Sequence, residues 1–172
     1  MQQIRLSPSG PVLGTLSQSP LRVAEDVSTL DNALVLDGAL TDIDADLRAE
    51  LAAPFEAGHY FSAECDIDVS NSSTNTEALV QVYLQVSYDG GAFSSVHSET
   101  HKIGANGTAA LRQVQPIRFH APPTALSSWG TVPAGVTTMT LRAAALLFAG
   151  EADQVQVEVT ETWIRLTEHS AP

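Results

Sequence analysis

Residues 78–91 read ALVQVYLQVSYDGG, with Val80, Val82, Leu84, Val86 and Tyr88 alternating with Gln81, Tyr83, Gln85 and Ser87. A period of two is the repeat of a strand with one buried and one wet face, and no helix satisfies it. Asp89-Gly90-Gly91 supplies the positive-φ positions of a hairpin turn, and the return strand runs through FSSVHSETHKI at 93–103. The same alternation recurs at HYFSAECDIDVS, 59–70, where Phe61, Ala63, Cys65, Ile67 and Val69 share a face against Tyr60, Ser62, Glu64, Asp66 and Asp68. It recurs from Val136 to Phe148, where Met139, Leu141, Ala143, Ala145 and Leu147 share a face.

Further strands are expected at 28–38, at 110–120 with Pro116 forcing an edge or a bulge, and at 154–168. In the last, Val155, Val157 and Val159 share a face. Trp163 keeps that parity, in or beside the core, while Ile164 and Leu166 break it, which predicts a bulge near Thr160–Thr162. Residues 121–135 read as the longest irregular connection. Many short strands separated by turn signals predict an all-β fold, a jelly-roll-like antiparallel β-sandwich over residues 28–172.

Residues 1–27 behave differently. Pro8, Pro11 and Pro20 interrupt them and no period is sustained, which reads as an extended N-terminal arm with short edge pairings. Ile4, Arg5, Leu6, Val12 and Leu13 are its candidates for contact with a partner.

TDIDADLRAE at 41–50 poses the sharpest question of chemistry. A calcium loop of the EF-hand type needs Gly at its sixth position and Glu at its twelfth. Counted from Asp42, those positions hold Leu47 and Ala53, so the coordination shell does not close. Two structural readings remain. In a strand, Asp42, Asp44 and Asp46 line the wet face. In a short helical turn, the favoured reading, Thr41 is the N-cap and Ile43, Leu47 and Leu51 form one stripe that Pro54 stops.

Charge narrows the partners. The 172-residue chain holds 8 basic against 20 acidic residues, a net charge of −12, and Lys102 is its single lysine. The seven arginines are scattered, so neither nucleic acid nor an anionic membrane surface is an expected partner. Charged residues are only 16 % of the chain, below the roughly 25 % of an average domain, a neutral polar surface suited to packing against neighbours. Cys65 is alone, so no intrachain disulfide forms. The N-terminal stretch MQQIRLSPSGPVLG lacks the apolar core of a signal peptide, and no apolar run approaches the ~20 residues of a membrane helix.

Catalytic motifs are not visible. No GxSxG occurs, and Cys65 sits on the inward face of its strand, where a thiol is inert. Carboxylate pairs for glycoside hydrolysis usually accompany an aromatic cleft, and aromatics are 6 % here. No catalytic residue and no cofactor are assigned. His97, Glu99 and His101 share one strand face and are the candidate metal ligands, against the plainer reading of a polar face near a hairpin. Trp129, in the loop LSSWG, is a candidate to stack on a ligand or anchor an interface, equally balanced by a loop pinned to its own domain.

PFEAGHYFSAECDIDVS at 54–70 resembles the segment of tumour-necrosis-factor and C1q-like jelly rolls in which an apolar residue, a glycine and an aromatic open a central strand, here Phe55, Gly58 and Tyr60. The spacing from phenylalanine to glycine is shorter than in that family, and its further aromatics are not all present. The resemblance covers about a third of the chain. It implies a ten-strand sandwich with a tendency to trimers and carries over no catalytic residue. The Ser/Thr/Gln-rich composition with an N-terminal arm is similar to small virion accessory proteins of tailed phages, decoration and head-fibre proteins among them.

The resulting expectation is a non-enzymatic structural virion protein that decorates or stabilises a phage capsid. It would be made in the host cytoplasm, form a homo-oligomer, a trimer, and bind neighbours such as the major capsid protein through its arm. The alternative is a carbohydrate-binding or receptor-binding module of a phage fibre or tail, working through Trp129.

Overall fold

The computed structural model describes residues 20–56, 58–107, 113–129 and 133–170. They form two antiparallel sheets that face each other across one apolar core. In the six-stranded sheet, β5 (Tyr60–Asn71) pairs on one side with β8 (Gln113–Ala125). On its other side it pairs first with β11 (Glu161–His169) and then with β10 (Val155–Val157). β1 (Pro20–Thr29) lies along β11, and β2 (Leu34–Val35) along β10. The five-stranded sheet runs from β7 (Ser94–Ile103) to β6 (Ala78–Tyr88) and β9 (Thr138–Ala149). β3 (Thr41–Asp42) and β4 (Ala49–Ala52) share the far side of β9. The result is a jelly-roll-like β-sandwich.

The alternation in sequence becomes the alternation of burial. Phe61, Ala63, Cys65 and Val69 are fully buried on β5 and face Val80, Val82, Leu84 and Val86, fully buried on β6. Met139, Leu141 and Ala145 of β9 complete that layer. Each fully buried branched side chain adds about 1.5–3 kcal/mol relative to exposure, so these three strands carry the sandwich.

Local departures from the sequence reading have local causes. Pro20–Thr29 is a full strand of the sheet, so residues 20–27, read with the arm, belong to the sandwich. Ile4, Arg5, Leu6, Val12 and Leu13 lie outside the described residues. The strand expected over 28–38 shrinks to Leu34–Val35. The favoured helical turn at 41–50 is absent. Asp44 Oδ1 accepts from the Asp46 N–H at 2.9 Å, and Leu47 N–H reaches Asp44 O at 3.3 Å. A side chain that bonds its own backbone two residues on favours a turn over a helix. Ile43, Leu47 and Leu51 are nevertheless all buried.

Arg48 closes that turn, donating to Asp44 O at 2.6 Å and Leu47 O at 2.7 Å, while Asp42 accepts from both Arg48 and Arg142. β8 continues to Ala125 and a 3-10 turn spans Leu126–Trp129, so the irregular connection is shorter than expected. Pro116 sits on β8, an edge strand, as its missing donor requires. The bulge expected near 160–162 is instead a break between β10 and β11. Val159 is turned out, the Thr160 N–H bonds Glu158 O at 2.9 Å, and Ile164 and Leu166 resume the inward parity.

Candidate functional site

The outer face of the six-stranded sheet collects more polar chemistry than any strand announces alone. Strand register sets three rows across β1, β11 and β5, two of which continue onto β8. One row is Val27, Trp163, Asp66 and Arg118. The next is Glu25, Arg165, Glu64 and His120, and the third is Val23, Thr167 and Ser62. Residues two apart on one strand stand ~6.7 Å from each other, so the rows are side-chain neighbours.

The middle row is a charge ladder. Arg165 Nε donates to Glu25 Oε2 at 2.8 Å and its Nη1 to Glu64 Oε2 at 3.3 Å. His120 Nδ1 lies 3.1 Å from Glu64 Oε1. The hydrogen bond to Glu25, opposed by partial burial, holds the Arg165 guanidinium above its already high range, so this charge is permanent. Below the ladder, Ser62 Oγ and His169 Nε2 are 2.7 Å apart. Pro20 and Val23 on one side and Pro123 on the other wall a groove of about 380 Å³ over this polar floor.

Trp163 stands one row along β11 from the ladder on this outer face, partly exposed, with Arg165 Cζ 5.1 Å and Arg118 Cζ 5.8 Å over its ring. It was expected in or beside the core. The break after β10 moves it outward, because the inward parity passes to Thr162, Ile164 and Leu166. Trp129 makes the opposite journey. It is 3 % exposed and packs 6.0 Å from Phe61, with its carbonyl 3.5 Å from Tyr88 Oη. A ring with no open face is no ligand platform, so the loop is pinned to its own domain.

His97, Glu99 and His101 lie on the inward parity of β7, opposite Leu84, Val82 and Val80. They therefore sit at the open side of the sandwich, and not on an outer polar face. His97 stacks on Phe119 of β8 at 5.2 Å, and His101 meets the same ring edge-on at 6.2 Å. Glu99 stands between them, 3.3 Å from His97 Nε2 and 3.7 Å from His101 Nε2. Among the described residues no group of three or more His, Cys, Asp or Glu side chains is disposed to hold a metal. Burial lowers the His101 pKa, against the weaker raising effect of Glu99. Burial and Asp66 push the Cys65 thiol far up, which removes its nucleophilic form.

Phe55, Gly58 and Tyr60 fall at the entry to β5. Phe55 packs edge-on to Phe61 at 6.1 Å, and Arg22 covers it at 5.4 Å. Beside them Glu168, 1 % exposed, accepts from Arg22 and from His59 Nδ1, the latter at 2.8 Å. Burial works to raise the Glu168 pKa, but those two partners outweigh it and the net shift is downward. The sequence reading passed over Glu168, although a glutamate on the same parity as Ile164 and Leu166 was the available signal.

No protein-family model matches the chain, and no curated protein matches it. Among solved structures, that of infectious bursal disease virus Gx strain is similar at a TM-score of 0.39 and 15 % identity, over 99 % of this chain and 41 % of that one. A crystal structure of the viral particle of the same virus gives 0.42 and 13 %, over 99 % and 40 %. The chain thus spans about two fifths of the length of these viral structures. A structure described as CBM4 is similar at 0.28 and 12 %, over 86 % of this chain and 94 % of that one. These likenesses say nothing of what this chain binds.

Proposed function

We propose that the chain is a non-enzymatic structural protein of a virion, one that decorates or stabilises the capsid of a tailed phage. In this reading it forms a homo-oligomer, a trimer as in the jelly rolls its 54–70 segment resembles. It contacts neighbours, the major capsid protein among them, through the segment before β1 and the outward side of β1 itself.

The observation that carries this reading is the inverted polarity of β1. Leu21, Val23 and Val27 point outward at 51 %, 53 % and 50 % exposure, with Glu25 between the two valines, while Arg22, Asp26 and Ser28 point inward beside Ala24. An ordinary edge strand does the reverse. Apolar side chains aligned on an exposed strand mark a surface that another molecule covers. The strand also continues the segment that holds Ile4, Leu6, Val12 and Leu13. Repetition of such a contact around a particle would supply avidity from small individual interfaces.

Light scattering on the full chain, on a chain lacking residues 1–19, and on a Val23→Lys/Val27→Lys chain tests the reading, with co-sedimentation on capsids. The full chain is expected to be oligomeric or to sediment with capsids, and both altered chains to lose that behaviour. A full chain that is monomeric and indifferent to capsids would overturn it.

A further inference from the structure

We propose that the groove over β1, β11, β5 and β8 is a binding site for a neutral, hydroxyl-rich ligand, a short oligosaccharide. The groove has the parts such a ligand needs. Its floor offers the Ser62–His169 pair, Thr167, and the carboxylates of Glu64 and Glu25 with Arg165 between them. A carboxylate oxygen has two acceptor positions, and a guanidinium has five N–H donors. The ladder therefore keeps capacity to accept from and donate to adjacent hydroxyls while its members hold one another in place.

Charge selects the ligand class. The two carboxylates are paired with Arg165 and His120, so a cation gains little by displacing them. An anion meets Glu25, Glu64 and the neighbouring Asp66 on a chain of net charge −12. A neutral polyol meets neither penalty. The walls are apolar, Pro20 and Val23 opposite Pro123, which suits the C–H faces of sugar rings. Four strands separated by ~4.8 Å give a span of ~14 Å, room for one or two rings side by side.

Titration calorimetry of the full chain with short neutral oligosaccharides of glucose, xylose, mannose and N-acetylglucosamine tests the site, with sialylated and sulfated glycans as anionic arms. At least one neutral member is expected to saturate, with a Kd of about 0.1 mM. Arg165→Ala is expected to weaken it about tenfold. Because Arg165→Ala also opens the ladder, Val23→Arg provides a second variant. It fills the groove mouth from a half-exposed position, leaves the core alone, and is expected to abolish binding with an unchanged melting curve. Saturation by anionic members alone, no saturation by any member, or binding that survives Val23→Arg would overturn the proposal. Val27→Lys, outside the groove lining, is expected to leave sugar binding unchanged, which separates this site from the neighbour contact proposed for β1.

Discussion

The sandwich has two open sides, and the chain closes them by different chemistry. Along β1 and β4 the closure is charged and hydrogen-bonded. Arg22 reaches Glu168, Ala52 O and Pro54 O, Asp26 accepts from the Arg48 N–H at 2.7 Å, and Ser28 meets Asp44 at 2.5 Å. Along β7 and β8 the closure is a stack, with His97 and His101 laid on Phe119. The first side uses side chains as substitutes for missing ladder bonds and so blunts the edge of β1. The second uses apolar ring area with a titratable rim. A strand can bury only one parity, and on β1 Arg22, Asp26 and Ser28 share it with Ala24, which leaves Val23 and Val27 on the outer face.

The largest effect should come from breaking the charged side. Arg22→Ala leaves Glu168 buried with only His59 for company, and urea unfolding should show a loss of about 3 kcal/mol. A loss below ~0.5 kcal/mol would mean that the clamp does not hold β1. Next, Phe119→Leu keeps most of the volume of the stack but removes its ring, and should cost about 1–2 kcal/mol by the same measurement. If Phe119→Leu proved costlier than Arg22→Ala, the ranking of the two sides would reverse.

Acidity should separate the sides without mutation. Burial lowers the His101 pKa, so below about pH 6.5 the unfolded chain takes up a proton that the folded chain resists. The His101 contribution is therefore fully present above that pH and declines as pH falls. The net downward shift of Glu168 has the same sign at lower pH. Its contribution is present above the ordinary glutamate range and is lost as pH falls through the depressed folded value. Amide exchange at pH 5.5 should report loosening at β7 and β8 before β1, and His101→Gln should remove that difference. The smallest effect is expected of Ser28→Ala, about 0.5–1 kcal/mol by urea unfolding, since it deletes one hydrogen bond at a part-buried position.

The candidate groove was legible only as ingredients. ECDID and WIRLT each display alternating polar residues, and Glu64 and Asp66 were rightly placed on the outer face of their strand. That Glu64 would meet Arg165 and His120 depends on register across 101 and 56 residues of chain, which no local pattern encodes. The two tryptophans show the same limit. A loop position made Trp129 look accessible, yet it is packed against Phe61. The parity rule placed Trp163 inward, and the interruption between β10 and β11 just before it turned the ring outward. At HSETH, spacing showed a shared face, but only the pairing with Val80, Val82 and Leu84 showed that the face looks inward.

By itself the sequence determined the class of fold and the buried faces of β5, β6 and β9, because a period of two is a local property that burial then enforces along each strand. It also placed Cys65 on the buried face of its strand. Tertiary structure alone decided which strands became edges, how the two open sides were closed, and which polar residues shared a groove. Those outcomes depend on pairing between residues far apart in the chain, and the same alternating strand can serve in the centre of a sheet or at its rim.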